Sequence, residues 1–592
     1  MARALKVLCV AVSVALLSGT GLWVVAEWGW GQWKPLSPAD AFAHGTLGLE
    51  TMPLKYALVL EQVSGAAFRS GREGGRSLWQ AYGFIANPNA AKGTGAACVG
   101  NAGDTLPVGF TVSRFMPLKA FKTPVAFAGL SCTACHSAVL RHPDGSTSKP
   151  ILGMGNQELD IIAWSDGFRS AVLDPTLTAS RILDAYDQQC GAPTGLYDRT
   201  LGRVIETGVM SAWLAGIRSS VADDLSRYDL PYAEVDLKNS AAIPAGPGRT
   251  RPFRSIVRVA LNLPGADNLA LSKIPVVFEQ DPKLRPRSQY DGSVKDPVTR
   301  SFTAAYASGA SVEALSKPEI VDNIKAAAVY TETLGITDAV PGYAELFPDH
   351  VPNPASVAKG AQVYGKYCTS CHGFRPAPNA PWSLDGASAI HKIVDIGTDR
   401  ARLSFRYADM LPLGIWTALP GWSKDLDAQK AKLEDAARQA RAKNDLAQDF
   451  FWRRQLDALE LASRKYRLGH PLWFPEDDLI YNVGYINNPI PRAFLRAPYL
   501  HNGSVPTLRQ LINLDPRPKV FCRGENVYDP QAVGYDAPMP DATGRCPDAT
   551  PFLFDTTRPG NAAAGHDYPW AYGDKAARRE DLEALLDYLK TL

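Results

Sequence analysis

Apolar residues recur at helical spacing at both ends of the C-terminal third of the chain. At the end of the chain, four leucines fall on one face of a predicted helix, at Leu582, Leu585, Leu586 and Leu589. At the other end, Asn353 precedes Pro354, a favourable start for a helix, because asparagine caps the first turn and proline fits it. Apolar positions then follow at Val357, Ala361, Tyr364 and Cys368. The pattern predicts two helices that each bury one face.

The N-terminal residues show a charged start followed by an apolar run. Arg3 and Lys6 precede the apolar residues 7–17, and a softer stretch continues to position 26. This order is typical of a secretory signal peptide that is cleaved after residue 26. The alternative is an uncleaved anchor, because residues 7–26 are about long enough to span a bilayer. Either interpretation exports the rest of the chain, so we expect a periplasmic or secreted protein, anchored to the inner membrane if the segment is retained.

Proline and charge divide the remainder of the chain. The proline-rich stretch 341–354 predicts a boundary between an N-terminal domain at 27–350 and a C-terminal domain at 351–592. Residues 425–466 contain no proline or glycine and many charges, which predicts one or two inserted helices with a solvated face. The 592 residues are 46% apolar and 21% charged, an ordinary globular balance. A net charge of +2 gives no whole-chain case for nucleic-acid binding.

Two short motifs carry the chemistry. Residues 132–136 and residues 368–372 both read C-x-x-C-H. In this motif the thiols add to the haem vinyl groups and the next imidazole reaches the iron, so it indicates covalent haem c. Zinc would need four ligands at each site, and no second Cys-x-x-Cys lies near either motif. We therefore predict two covalent haems, the first held by Cys132, Cys135 and His136 and the second by Cys368, Cys371 and His372.

The remaining cysteines fit an exported protein. Cys9 lies in the N-terminal apolar segment, which leaves Cys98, Cys190, Cys522 and Cys546 outside the motifs. An even number in an oxidising compartment predicts two disulfides. The loop between Cys522 and Cys546 is short and rich in proline and glycine, so these two are the favoured pair, and Cys98 with Cys190 follows by elimination. Four buried free thiols are the alternative.

Few side chains are available to complete the iron coordination. An iron with two protein ligands suits electron transfer, and an iron with one can bind oxygen or peroxide. His566 is favoured for the second haem, because it lies in a flexible glycine- and alanine-containing loop shortly before the last helix. His501 and Met410 are the alternatives. No histidine is well placed for the first haem, so we expect an open or water-bound iron there, with Gln157 and Glu158 as candidates for a distal hydrogen bond.

Several segments resemble a known group of proteins. Besides the two C-x-x-C-H motifs, they are Pro-Tyr-Leu-His-Asn-Gly-Ser at 498–504 and Ile-Gly-Thr-Asp at 396–399. Together they resemble the bacterial di-haem cytochrome c peroxidase superfamily. Three stretches bring the chain closer to the di-haem rubber oxygenase branch: 107–111, 496–508 with 533–535, and 560–568. The resemblance covers most of the chain from about residue 107.

The resemblance implies roles for individual residues. It implies one histidine ligand, His136, for an open first haem and two, His372 and His566, for the second. Tyr499 and His501 match a segment that lies between the haems in these families, where they would support electron transfer or hold the second haem. The chain departs from the oxygenase pattern at 274–279, where Phe278 stands in place of an expected tryptophan and would take its aromatic role or pack in the core. This departure leaves the substrate open.

The sequence thus predicts a mainly α protein with two cytochrome c-like haem domains, long loops and an inserted helical segment. We expect a di-haem oxidoreductase in which the first haem activates O2 or H2O2 and the second relays electrons. The reaction is either oxidative cleavage of an unsaturated organic substrate or reduction of peroxide with electrons from a small redox protein. A non-enzymatic electron carrier and an anchored subunit of a respiratory complex are the other readings. Calcium between the domains, as in the peroxidases, stays open.

Overall fold

The computed structural model describes most of the chain after residue 33. The described residues are 34–68, 76–88, 105–228, 244–251, 271–292, 294, 297–311, 313–336, 340–377, 380–390, 392–394, 396–404, 426–443, 456, 484–567 and 575–592. The N-terminal signal or anchor, Cys98 and Met410 lie outside the described residues. Within the described part, no helix is both long and apolar enough to cross a membrane.

The described residues are partly helical. The helices are α1 (Pro38–His44), α2 (Leu54–Ser64), α3 (Leu78–Ala81), α4 (Cys132–Cys135), α5 (Ile161–Leu173), α6 (Ala179–Cys190), α7 (Arg203–Tyr228), α8 (Pro297–Ala307), α9 (Pro318–Thr333), α10 (Tyr343–Leu346), α11 (Pro354–Tyr367), α12 (Thr369–His372), α13 (Leu426–Ala442), α14 (Leu508–Leu511) and α15 (Lys575–Leu589). Helix α13 lies in the segment where inserted helices were expected.

The strands are short and pair antiparallel. They are β1 (Glu50–Pro53), β2 (Phe110–Phe115), β3 (Lys122–Leu130), β4 (Ser137–Ala138), β5 (Ile151–Leu152), β6 (Arg249–Thr250), β7 (Ser272–Lys273), β8 (Ile393–Val394), β9 (Tyr485–Ile486), β10 (Val520–Arg523), β11 (Tyr528–Asp529), β12 (Gly534–Tyr535) and β13 (Phe552–Asp555). One sheet has three strands in the order β1-β3-β2, with Phe110 opposite Leu130. The other described sheets are two-stranded ribbons. The chain is therefore partly helical, and the expectation of a mainly α chain with two haem domains stays a prediction.

Helices α11 and α15, both predicted by the apolar patterns, pack against each other at close range. Asn353 caps α11 by accepting a hydrogen bond from the Ala355 amide at 2.8 Å. The four leucines of α15 are buried. At the crossing, a Cβ on Gly360 would lie 1.9 Å from the carbonyl oxygen of Ala584, so only glycine fits there. A first helix that leads into a haem motif and a last helix that packs on it is the cytochrome c arrangement.

Two large apolar cores lie among the described residues. One lies entirely in the N-terminal part and is built around Tyr56, Phe127 and Trp213. The other draws from both sides of position 350, with Phe278 packed in the same cluster as Tyr364. This shared core fixes the position of the first haem motif relative to the second, because side chains from both parts interdigitate in it.

Candidate haem sites

The first C-x-x-C-H motif forms a single helical turn against a glycine. The His136 amide donates to the Cys132 carbonyl at 2.9 Å, which closes the turn. The Ser131 amide donates to the Gly109 carbonyl at 2.8 Å, and a Cβ on Gly109 would lie 2.1 Å from the Ala134 nitrogen. The segment 107–111 thus lies directly against the motif, and its glycine is required because the two backbones touch.

The His136 imidazole is oriented by a distant carbonyl. Its Nδ1 lies 3.0 Å from the carbonyl oxygen of Pro275, so Nδ1–H donates and Nε2 keeps its lone pair. A metal-binding histidine usually donates its other ring N–H in this way. Burial lowers the pKa of His136 to about 4, which keeps the imidazole neutral. His136 is therefore prepared to bind iron through Nε2.

The second motif repeats this geometry. The His372 amide donates to the Cys368 carbonyl at 3.0 Å, and the His372 Nδ1 lies 2.8 Å from the carbonyl oxygen of Asn488. Burial is the main cause that lowers the pKa of His372. The four motif cysteines are free thiols and half-buried. Both motifs thus present two thiols and one neutral imidazole, the donor set that haem c attachment requires.

His566 faces His372 across a narrow space. Their ring centres are 6.2 Å apart, and the ring planes are inclined by 39°. Metal–nitrogen bonds of about 2 Å on each side would place two facing imidazole centres roughly 6 Å apart. Burial, followed by the nearby His372, lowers the pKa of His566 to about 4. His372 and His566 are therefore spaced so that both could hold one iron between them.

Two motif segments hold the loop that carries His566. The Asn502 side chain donates to the carbonyls of Gly560 and Ala562, each at 3.1 Å, and the Ser504 hydroxyl donates to Ala562 at 3.0 Å. From the other side, the Asp399 carboxylate accepts from the Ala562 amide at 3.0 Å. The segments 396–399, 498–504 and 560–566, which are far apart in sequence, therefore meet at one loop.

The approach of these segments leaves no room for a side chain at Gly565. A Cβ on Gly565, which has φ of +80°, would lie 2.3 Å from the carbonyl carbon of Gly397. The His566 amide donates to the Ile396 carbonyl at 3.0 Å, and Arg517 donates to the Gly565 carbonyl at 2.8 Å. The backbone on both sides of His566 is therefore fixed.

His501 is occupied by protein hydrogen bonds. Its Nδ1 lies 3.3 Å from the Thr398 hydroxyl and its Nε2 lies 3.0 Å from the Tyr485 hydroxyl, with the Tyr485 ring stacked at 4.4 Å. Tyr485 donates its own proton to the Asp399 carbonyl, so it accepts from His501 Nε2–H. Neither nitrogen of His501 is left for iron in this arrangement, and burial holds its pKa well below the usual value.

Two further predicted site residues, Tyr499 and Phe278, are buried in the core. The Tyr499 hydroxyl is buried and donates toward the carbonyls of Ala493 and Val533 at 3.2 and 3.1 Å. Phe278 is 0% exposed and packs beside Gly153, whose amide donates to the His136 carbonyl at 2.8 Å. The structure thus shows core packing for Phe278, three residues after Pro275, whose carbonyl contacts His136. Catalytic roles for Tyr499, His501 and Phe278 stay predictions.

The candidate distal residues of the first haem are also engaged. Gln157 is buried and donates to the Ile274 carbonyl at 2.8 Å. Glu158 forms a two-point ion pair with Arg141 at 2.8 and 3.0 Å. Sequence reasoning missed the carbonyls of Pro275 and Asn488, since a backbone acceptor carries no residue-type signal.

The disulfide prediction is confirmed for the C-terminal pair. Cys522 and Cys546 are bonded, with Cα atoms 5.7 Å apart. Cys190 is also disulfide-bonded. Its predicted partner, Cys98, lies outside the described residues.

Comparison with known proteins supports a cytochrome assignment. The family described as RoxA-like, cytochrome c-like matches residues 484–522, which include Asn488 and the 496–508 segment. Two proteins of Sinorhizobium fredii (strain NBRC 101917 / NGR234) are similar to the chain. Uncharacterized protein y4iM is 28% identical over 337 residues, covering 54% of this chain and 64% of that protein. Uncharacterized protein y4iJ is 25% identical over 401 residues, covering 61% and 62%.

The family match and the geometry of the C-x-x-C-H motifs together indicate a class of protein. The chain spans less than two thirds of both relatives, and their names describe no activity. The matched cytochrome c-like part and the C-x-x-C-H turns indicate a c-type haem redox protein with covalently attached haem c. At this level the likeness to the rubber oxygenase and di-haem cytochrome group is supported.

Proposed function

We propose that the chain is an exported di-haem oxidoreductase with unlike haem sites. The site at Cys132 and Cys135 has an open iron that activates O2 or H2O2. The site at Cys368 and Cys371 is closed and transfers electrons. Haem bound at these sites supplies the redox chemistry, and the protein supplies the ligands, their orientation and the exclusion of water.

This proposal rests on a difference between the two motif histidines: His372 has an imidazole opposite it, and His136 has none among the described residues. His372 faces His566 at 6.2 Å. Within the described ranges, no imidazole faces His136 in this way. Besides burial, the groups that shift the pKa of His136 are the Pro275 carbonyl, which raises it, and Arg300, which lowers it. A site with one imidazole binds small oxidants, whereas a site with two exchanges electrons without changing ligands.

The residues around His136 support reactivity. The Pro275 carbonyl accepts from Nδ1–H, which fixes the ring and makes Nε2 a stronger donor to iron. The segment that provides this carbonyl is itself fixed, because the Val277 amide donates to Gly153 at 2.8 Å. His136 is therefore held in one orientation by a backbone carbonyl.

Export is supported by the Cys522–Cys546 disulfide, since such bonds persist in oxidising compartments. The likeness to the RoxA-like family favours oxidative cleavage of an unsaturated hydrocarbon. In that reaction both atoms of O2 enter two carbonyl products, and no outside electron donor is consumed. Peroxide reduction would instead consume two electrons and two protons per H2O2.

Carbon monoxide binding tests the proposal. The fully reduced protein should bind one CO per chain, and His136→Ala, where it matures, should remove this binding. Carbonyl products from an unsaturated hydrocarbon and O2, without added reductant, identify the oxygenase reaction. Oxidation of a small reduced cytochrome by H2O2 identifies the peroxidase. If neither haem binds CO or cyanide in any redox state, the chain is an electron carrier and the enzyme proposal fails.

A further inference from the structure

One short backbone segment holds three side chains of the second haem site. Three of its carbonyls each accept a hydrogen bond from a side chain, and two of these side chains are distant in sequence. The pairs are Asn488 with His372 Nδ1 at 2.8 Å, Pro489 with Arg285 Nη2, and Pro491 with Arg496 Nε at 2.8 Å. Two guanidinium groups are therefore positioned by the segment that orients the proximal histidine.

Neither arginine pairs with a carboxylate among the described residues. The remaining hydrogen bond of Arg285 goes to the backbone carbonyl of Glu279 at 3.2 Å. The Nη2 atom of Arg496 is buried and has no hydrogen-bond partner in the described part. The Glu279 carboxylate is taken by Arg375, at 3.2 and 2.5 Å. Arg285 and Arg496 are thus half-buried near each other, and the carboxylate that acts on both, that of Glu279, is already engaged by Arg375.

Such a pair is costly to keep charged unless an anion neutralises it. Burial and the neighbouring Arg496 lower the pKa of Arg285 to about 9, and burial lowers the pKa of Arg496 to about 10. Both positive charges also lower the pKa of His372, so the two arginines lie near the second haem site. An anion at this point would touch two arginines and lie next to the iron ligand.

We infer that Arg285 and Arg496 bind the propionate carboxylates of the haem attached at Cys368 and Cys371. The planar guanidinium fork matches a carboxylate with two parallel hydrogen bonds, and the free Nη2 of Arg496 supplies a donor. The inference rests on the proposed second haem and adds the residues that recognise its acidic edge.

The test measures the reduction potential and the vibrations of this haem in the full-length protein. Arg285→Gln and Arg496→Gln each remove one positive charge and should lower the midpoint potential of the low-spin haem, because the ferric form gains relative stability. Arg285→Lys and Arg496→Lys keep the charge and should preserve most of the potential. The propionate bending band in resonance Raman spectra should shift in all four variants, since lysine cannot form the fork.

Arg509→Gln is the matched control. Arg509 pairs with Asp515 and Glu583 at 2.8 Å each, so its loss should leave the potential and the band unchanged. Gln variants with a full haem complement, an unchanged potential and an unchanged propionate band would overturn the inference. If the Gln variants fail to mature, an unshifted band in the Lys variants overturns it. Absence of covalent haem at Cys368 and Cys371 in the native protein would instead overturn the proposed function.

Discussion

His372 and His566 face each other with ring centres 6.2 Å apart, although 194 positions separate them in the chain (566 minus 372). His372 is set by the Asn488 carbonyl, and His566 is set by the backbone contact of its loop with Ile396. Both rings therefore reach their positions through backbone groups of other segments. This arrangement makes the second site testable one residue at a time.

The first prediction concerns the removal of His566. His566→Ala should open one axial position of the second iron, because the opposing imidazole is lost. A new high-spin signal and a second CO per chain should appear in electron paramagnetic resonance and optical spectra. His44→Ala, which removes an exposed histidine, is the control. An unaltered low-spin signal in His566→Ala would move the assignment to Met410 or His501.

The second prediction compares two glycines with the same backbone angle. Gly565 and Gly544 both have φ of +80°, but a Cβ at Gly544 meets nothing within 4 Å. Alanine at either site should cost about 1–2 kcal/mol for the left-handed conformation. Gly565→Ala should cost more and also raise the high-spin fraction, since the Cβ displaces the His566 loop from Gly397. Denaturant unfolding and optical spectra measure both effects, and equal losses in the two variants would contradict the described contact.

The third prediction is a pH dependence from His501. Its pKa in the folded state lies well below the usual value, because burial and then Arg402 and Lys273 disfavour its charged form. The unfolded chain therefore binds a proton first, near pH 6.5, and the free energy of unfolding should fall as the pH drops below that point. A single such histidine contributes a slope of about 1.4 kcal/mol per pH unit.

His501→Gln should remove this contribution while the slope from other groups remains. Denaturant unfolding at several pH values from about 7 downward measures the difference. His44→Gln, at an exposed site, should keep the native slope. The prediction is wrong if the His501→Gln and native proteins lose stability in parallel as the pH falls.

The fourth prediction is the number of covalent haems. Thioether bonds survive unfolding, so two haems should stay with the denatured chain. Replacing Cys368 and Cys371 with alanine should remove one, and replacing Cys132 and Cys135 should remove the other. Pyridine haemochrome analysis of matured protein counts them directly. One haem in the native chain would exclude the division of labour proposed for the two sites.

Local features of this protein could be predicted from its sequence. The C-x-x-C-H turns close through hydrogen bonds between residues four apart, from the His136 amide to Cys132 and from the His372 amide to Cys368. A segment of five residues therefore contains the whole motif. The Asn353 cap, the leucine face of α15 and the Cys522–Cys546 pair are equally local or depend on composition alone. These features predict the cofactor class and part of the fold.

Tertiary structure decided which groups surround each imidazole. His136 and Pro275 are 139 positions apart, and His372 and Asn488 are 116 apart, so folding alone brings them together. His501 could be proposed as an iron ligand from sequence, but Thr398 and Tyr485 take both its nitrogens. The sequence also could not show that Arg285 and Arg496 lie near His372 and form no ion pair within the described residues, because charge pairing depends on distance in space. The sequence determines the motifs for covalent haem attachment, and the tertiary structure determines which groups contact and surround each motif histidine.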